Sequence, residues 1–165
     1  MDRIADKATA MEEAVFTPAD VATIATGLMA GVYFIYAVAI MPGLRRLDDG
    51  DFVAAFQAID RAIINPVFLV AFFAPTVLCG ISALTERGEP GYRWIVVALV
   101  LNAAIVAITI AVNVPLNDAL KARGDVAGAE ATAARQAFTE GRWVAWNWFR
   151  VVANVGALVC LVVVG

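Results

Sequence analysis

Histidine is absent from all 165 residues, and that absence excludes more than any motif here asserts. Bis-histidine haem ligation, carboxylate-bridged di-iron sites built on Glu-x-x-His, and histidine-based zinc sites all need a residue type the chain lacks. Cysteine is scarce as well. Cys79 and Cys160 stand singly in apolar surroundings with no C-x-x-C, so a dithiol redox enzyme is excluded and both thiols read as small apolar packing residues. The expectation is a protein with no metal and no cofactor. Charge is the third shortage: 16% of residues are charged, against about 25% in soluble domains. The net charge of −3 comes from acids and bases interleaved in every loop. That pattern leaves no basic stripe for nucleic acid and no polybasic anchor for anionic lipid, which argues against nucleic acid as a partner.

What the chain has instead is hydrocarbon: 62% hydrophobic residues and a mean hydropathy of +0.79. Residues 21–44, 62–85 and 94–117 carry no formal charge, and 143–165 is broken only by Arg150. About 20 apolar residues at 1.5 Å rise cross a hydrocarbon core roughly 30 Å thick. The fold class expected is therefore all-α: a multi-pass integral membrane four-helix bundle, with the lipid bilayer as solvent. Its spans are placed at 18–42, 65–85, 92–117 and 143–164, within a membrane domain 18–165 that follows an extramembrane segment 1–17. Asp2, Asp6, Glu12 and Glu13 outweigh Arg3 and Lys7 in that segment, the wrong charge for the start of a secretory signal. Loops one and three carry seven Lys and Arg, against four in the N-terminal segment and loop two. The excess places loops one and three on the cytoplasmic side.

Local signals set the boundaries. Thr17-Pro18 is a helix start and Met41-Pro42-Gly43 a stop. Gly27 and Gly31 form a small-xxx-small pair, read as packing within the bundle ahead of an interface with a second copy. Between the first two spans, Phe52, Phe56, Ile59 and Ile63 recur on one helical face, giving an amphipathic interfacial helix over about 48–64 that either caps the bundle as a lid or simply connects. Residues 86–91 make a tight turn. The third span is expected to end over Asn113-Val114-Pro115-Leu116-Asn117-Asp118, and 124–141 to form a solvated helix or an extension of one. No internal repeat is visible.

Polar residues inside the spans are expensive and are the candidates for function. In the fourth span Trp143, Asn147, Arg150 and Asn154 fall at i, i+4, i+7 and i+11, and in the third Asn102, Thr109, Asn113 and Asn117 form a matching stripe. Topology brings Tyr33, Tyr36, Asn65, Asn113, Asn117, Asn147 and Arg150 into the same half of the bilayer. Arg150 lies roughly 10 Å below Trp143. An arginine at mid-bilayer costs about 2.5 to 3.5 kcal/mol on insertion scales, and the spans offer no carboxylate at that depth. Two readings fit. In one, Arg150 snorkels to the headgroups while the asparagines tie helices together. In the other, Arg150 is the cationic floor of a cavity for an oxygen-rich or anionic lipophilic small molecule, with Asn113, Asn117 and Asn147 as orienting partners. Tyr33, Tyr36, Asn65, Thr109, Trp143 and Asn154 would then line it. Pro115 frees the carbonyl of Ala111 at this level, and is also an ordinary helix terminator. Trp146 and Trp148 read as an interfacial belt.

The same residues carry a resemblance. Met41-Pro42-Gly43-Leu44, Asn113-Val114-Pro115-Leu116-Asn117, and Arg142-Trp143 followed by Trp146-Asn147 and Arg150 resemble, in order and at the right span ends, the bacterial branch of the anthrone oxygenase-like family of small four-helix membrane proteins. The resemblance covers about residues 20–164. It implies oxidation of an anthrone to an anthraquinone by O₂ without metal or flavin. Arg150, Asn113, Asn117 and Asn147 would form an oxyanion site, and Tyr33 or Tyr36 would relay the proton. With no histidine, the base stays open among Asp118, Asp60, a tyrosinate and water. The alternatives to this enzyme are a non-catalytic protein that binds a lipophilic ligand, an accessory subunit of a membrane complex or homo-oligomer, and a thiol-conjugating membrane enzyme.

Overall fold

In a computed structural model of the chain, residues 16–164 are described. The expected extramembrane segment 1–17 falls outside the described residues except for Phe16 and Thr17. Four long helices carry the apolar runs: α1 (Pro18–Leu44), α3 (Pro66–Thr85), α4 (Tyr92–Lys121) and α6 (Glu140–Val164). Two shorter ones, α2 (Asp49–Ile63) and α5 (Gly128–Phe138), lie between α1 and α3 and between α4 and α6. The chain is an all-helical integral membrane protein among the described residues.

Capping residues fix the helix starts. The Thr17 hydroxyl accepts from the Asp20 N–H at 3.2 Å and the Asp20 carboxylate accepts from the Thr17 N–H at 2.8 Å, a reciprocal capping box ahead of Pro18. Asp48 and Asn65 cap α2 and α3 more simply, each side chain accepting one backbone N–H, from Asp51 and Phe68. Each span packs against the span before it in the chain, and α6 closes back on α1. Ala22, Cys79, Ala98 and Ala157 are fully buried at these contacts, because small side chains let helices approach where lipid supplies no hydrophobic drive. Gly27 and Gly31 have another role: a Cβ at either would meet nothing within 4 Å. The expected packing seam inside the bundle is thus not where this pair lies.

The prolines do not end their helices as expected. In α1 the turn Tyr36–Ile40 and in α4 the turn Thr109–Asn113 are π-helical; the Met41 N–H bonds the Tyr36 carbonyl and the Val114 N–H bonds that of Thr109. The wider turn absorbs one residue, so Pro42 and Pro115, each the second residue after a π turn, enter a new helical stretch at its start, where a missing N–H costs little. Hence α1 continues to Leu44 and α4 to Lys121, beyond the expected ends at 42 and 117, and α6 starts at Glu140 rather than 143. A repeat hidden in the sequence appears here. Each half of the chain runs span, π turn, proline, short helix, amphipathic helix, span.

The two amphipathic helices pack on one another and on the ends of α1 and α4, building a second core at one end of the spans. Phe52, Phe56, Leu120, Phe138 and Trp143 are buried in it, with the Phe56 and Phe138 rings edge to face at 4.7 Å. Gln57 Nε2 donates to the carbonyls of Leu120 and Gly124, both at 3.0 Å, which satisfies the end of α4. So α2 is a lid, as one of the two readings had it. Helix α5 is not merely solvated: Ala131, Ala134 and Phe138 are buried. An alanine face gives too little hydrophobic contrast to be recognised in sequence. Thr139 joins α5 to α6 in the left-handed region at φ 49°.

Candidate functional site

Where the lid meets the spans there is a cavity of about 110 Å³. A single water needs only roughly 10–15 Å³, so the space is sized for a small molecule. Its walls come from five helices, and both π turns face it through their first residues, Tyr36 and Thr109. π turns of this kind re-aim side chains and recur at functional sites.

Arg150 is at the floor and only 6% exposed, so the snorkelling reading does not hold. Its guanidinium is held between two aromatic faces, with Cζ 4.9 Å from the Tyr33 ring centroid and 5.4 Å from that of Trp143. Nη2 donates to Asn147 Oδ1 at 2.9 Å and Nη1 to Thr109 Oγ1 at 3.4 Å. Asn147 Nδ2 in turn donates to the Tyr33 carbonyl at 3.1 Å, in the stretch of α1 that leads into the π turn. Among the described residues no carboxylate lies within ion-pair distance of Arg150. Two further groups are left without partners in this buried place: the Arg150 Nε–H and both ends of the Asn113 carboxamide. Asn113 is 1% exposed and lines the cavity. Unpaired groups buried this deeply cost about 1–3 kcal/mol each, a cost a polar ligand removes.

A second chain of polar groups starts at Trp143, beside Arg150, and leads to the lid. Trp143 Nε1 donates to Asn117 Oδ1 at 2.8 Å, and Asn117 Nδ2 donates to Asp60 Oδ1 at 2.6 Å. Asp60 Oδ2 lies 2.7 Å from Lys121 Nζ, which is also 2.9 Å from Asp118 Oδ1. Asp60 is 6% exposed and lines the cavity. Because α2 dips over the bundle, the carboxylate that the spans lack is supplied by the lid.

Of the residues expected at a site, the structure brings together Tyr33, Tyr36, Thr109, Asn113, Asn117, Trp143, Asn147 and Arg150. Two stand apart. Asn65 is exposed and spends its side chain on capping α3 and on the carbonyls of Ala62 and Ile63. Asn154 is 1% exposed but sits one turn deeper, about 6 Å below Arg150, and does not line the cavity. Asn102, from the third-span stripe, reaches the Cys79 thiol at 3.9 Å and not the cavity. Trp146 and Trp148 stay outside it, Trp148 with 43% exposure. Asp60 is the residue that sequence reasoning left unplaced. The signal was there: Phe52, Phe56 and Asp60 fall at i, i+4 and i+8, which puts a carboxylate on the buried face of α2.

The mouth of the cavity lies at the elbow between α2 and α3. Ile63, Ile64 and Phe68 form one lip and Val114 the other, and Ile64 and Val114 are 55% and 39% exposed. The lips are apolar and the floor polar, an arrangement suited to a molecule that arrives from lipid and carries its oxygens at one edge.

No curated protein and no solved structure matches the chain. The sequence profile of the anthrone oxygenase family matches residues 52–160. That stretch holds most of α2, all of α3, α4 and α5 and most of α6, and with them Asp60, Asn113, Asn117, Trp143, Asn147 and Arg150. A match across well over half of its residues decides the matter: the chain belongs to the anthrone oxygenase family.

Proposed function

We propose that the protein is a membrane-embedded oxygenase that oxidises a lipophilic, anthrone-like aromatic with O₂, without metal or flavin. The observation that carries the reading is the pairing of buried, unpartnered polar groups with a cavity edged by exposed apolar side chains: Arg150 without a carboxylate, its Nε–H free, and Asn113 unbonded at both ends. An anthrone carries a carbonyl oxygen across the ring from an acidic methylene. Loss of a methylene proton places negative charge on that oxygen, where Arg150 and the Asn113 amide donate to it. Asn147 holds the guanidinium in place. The anion passes one electron to O₂, the resulting radical and superoxide combine at the former methylene carbon, and the peroxide loses water. One anthrone and one O₂ give one anthraquinone and one H₂O. The family supports the kind of reaction, and the apolar lips support the lipophilic substrate. No step requires a residue type the chain lacks.

The test is turnover. Protein purified in detergent, mixed with an anthrone under air near neutral pH, should form the quinone well above the spontaneous rate, with one O₂ consumed per product. A protein that binds the anthrone, seen as quenching of tryptophan fluorescence, yet leaves the spontaneous rate unchanged is a lipophilic-ligand-binding protein and not an oxygenase. Its partners would then be sought in a larger membrane complex.

A further inference from the structure

Resting on the reading above, we propose that Asp60 is the general base of this site and that Lys121 and Asp118 carry its proton out to water. The buried face of the cavity holds one carboxylate among its lining residues, and it is Asp60. Two of its lone-pair positions are occupied, by Asn117 Nδ2 at 2.6 Å and Lys121 Nζ at 2.7 Å. A carboxylate has about four such positions, so it keeps capacity for a substrate hydrogen.

The second argument is that Asp60 and Arg150 line the same cavity from different helices, α2 and α6. Deprotonation separates charge across the substrate: a proton leaves one edge while negative charge gathers at the other. Asp60 on the lid and Arg150 on the floor supply an acceptor and a cation to those two edges, and the Trp143–Asn117 link fixes Asp60 relative to the wall that holds Arg150. The remaining titratable groups lining this space are Tyr33 and Tyr36 on α1, while Lys121 on α4 meets Asp60 from outside the lining and pairs with Asp118. Arg61 is engaged elsewhere, donating to Gln57 Oε1 at 2.8 Å.

The step balances. The methylene C–H bond breaks, the proton goes to an Asp60 oxygen, and the electron pair stays on the substrate as the anion that O₂ later oxidises. Asp60 then passes its proton to Lys121 as the ammonium releases another to water beside Asp118. That exit is built: the side chains of Asp60, Lys121 and Asp118 are 7%, 23% and 60% exposed, a graded path from the cavity to the aqueous side of the lid.

Proton removal can be observed without oxidation. In D₂O with oxygen excluded, the wild-type protein should speed exchange of the anthrone methylene hydrogens, followed by proton magnetic resonance. Asp60→Asn, which keeps the shape and the bond with Asn117, should lose at least about 100-fold of that exchange while binding the anthrone within about 3-fold of wild type. Asp60→Asn exchanging at the wild-type rate overturns the assignment. So does loss of binding in proportion to exchange, which would make Asp60 a tie between lid and bundle. Should the variant not fold, infrared difference spectra of the wild type carry the test: anthrone added without oxygen should convert a carboxylate band into a protonated carboxyl band, and an unchanged spectrum overturns the proposal. Exchange without quinone formation in air would sink the oxygenase reading and leave the base in place. Quinone formation at full rate by Asp60→Asn would do the reverse.

Discussion

Replacing Arg150 by methionine removes the guanidinium while keeping most of the side chain's length and bulk, and the structure lets both consequences be sized. Burying the cation costs about 2.5–3.5 kcal/mol. Against this stand two aromatic faces, about 0.5–1 kcal/mol each, and the charge-assisted bond to Asn147 at 2.9 Å, about 1.5–3 kcal/mol. These nearly cancel, so Arg150→Met should change stability by no more than about 1 kcal/mol in either direction. Activity should respond very differently. An oxyanion donor of this kind is worth roughly 10²–10³ in rate, and kcat should fall by that factor. Unfolding by a denaturing detergent, followed by circular dichroism, reads the first quantity; O₂ uptake and quinone absorbance read the second. An arginine kept for structure behaves otherwise, since breaking a buried charge network by removing one partner costs about 3–5 kcal/mol. A variant destabilised by that amount, or one with wild-type kcat, refutes the reasoning.

Other perturbations test other parts of the molecule. Ile64→Trp should narrow the mouth and lower kcat/KM for a bulky anthrone at least about 10-fold, while O₂ uptake with a smaller phenolic analogue is less affected; equal effects on both would remove the elbow as the route of access. Thr139→Gly should stabilise the junction of α5 and α6 by about 1 kcal/mol, because a β-branched residue is strained at φ 49°, and unfolding in detergent will show it. The Asp49 carboxyl is held below the usual carboxylate range, first by the Thr132 hydroxyl at 2.6 Å and then by Arg135 at 3.1 Å. Its folded value lies below the unfolded one of about 3.9, so its support for the lid is complete above that pH and is lost as pH falls through the lowered value. Amide hydrogen exchange in α5 should stay slow down to about pH 4 and quicken below it, and Asp49→Asn should flatten the profile.

The parts of this fold that were legible in sequence are those where chemistry is uniform along a run. Uncharged stretches announce spans whatever their neighbours do, and the polar stripe of Trp143, Asn147 and Arg150 is visible because it interrupts one. Features that depend on exchange between elements were not legible. The π turns are invisible because Pro42 and Pro115 look like terminators, and only the preceding wide turn lets the helix survive them. Helix α5 hides because its buried face is alanine. Asn65 was misplaced because an N-cap and a pocket amide have the same residue type and only neighbouring backbone N–H groups distinguish them. Asp60 was named among the candidates for the base but not singled out, since a carboxylate in a charged loop looks solvated; that it stands in register with Phe52 and Phe56 matters only once α2 lies over the cavity.

The doubled plan of the chain has an outcome for selectivity. Counting from the prolines, Tyr36 and Leu44 occupy the same positions in the first half as Thr109 and Asn117 do in the second, and Ile40 stands where Asn113 does. Two like scaffolds thus line the cavity differently, the first turn region with Tyr36 and Leu44, the second with Thr109, Asn113 and Asn117, while Ile40 stays outside it. A flat guest with oxygens along a single margin has only one comfortable way to lie between them. Under the proposed reading, which carbon of an unsymmetrical guest is attacked would follow from the divergence of the two halves.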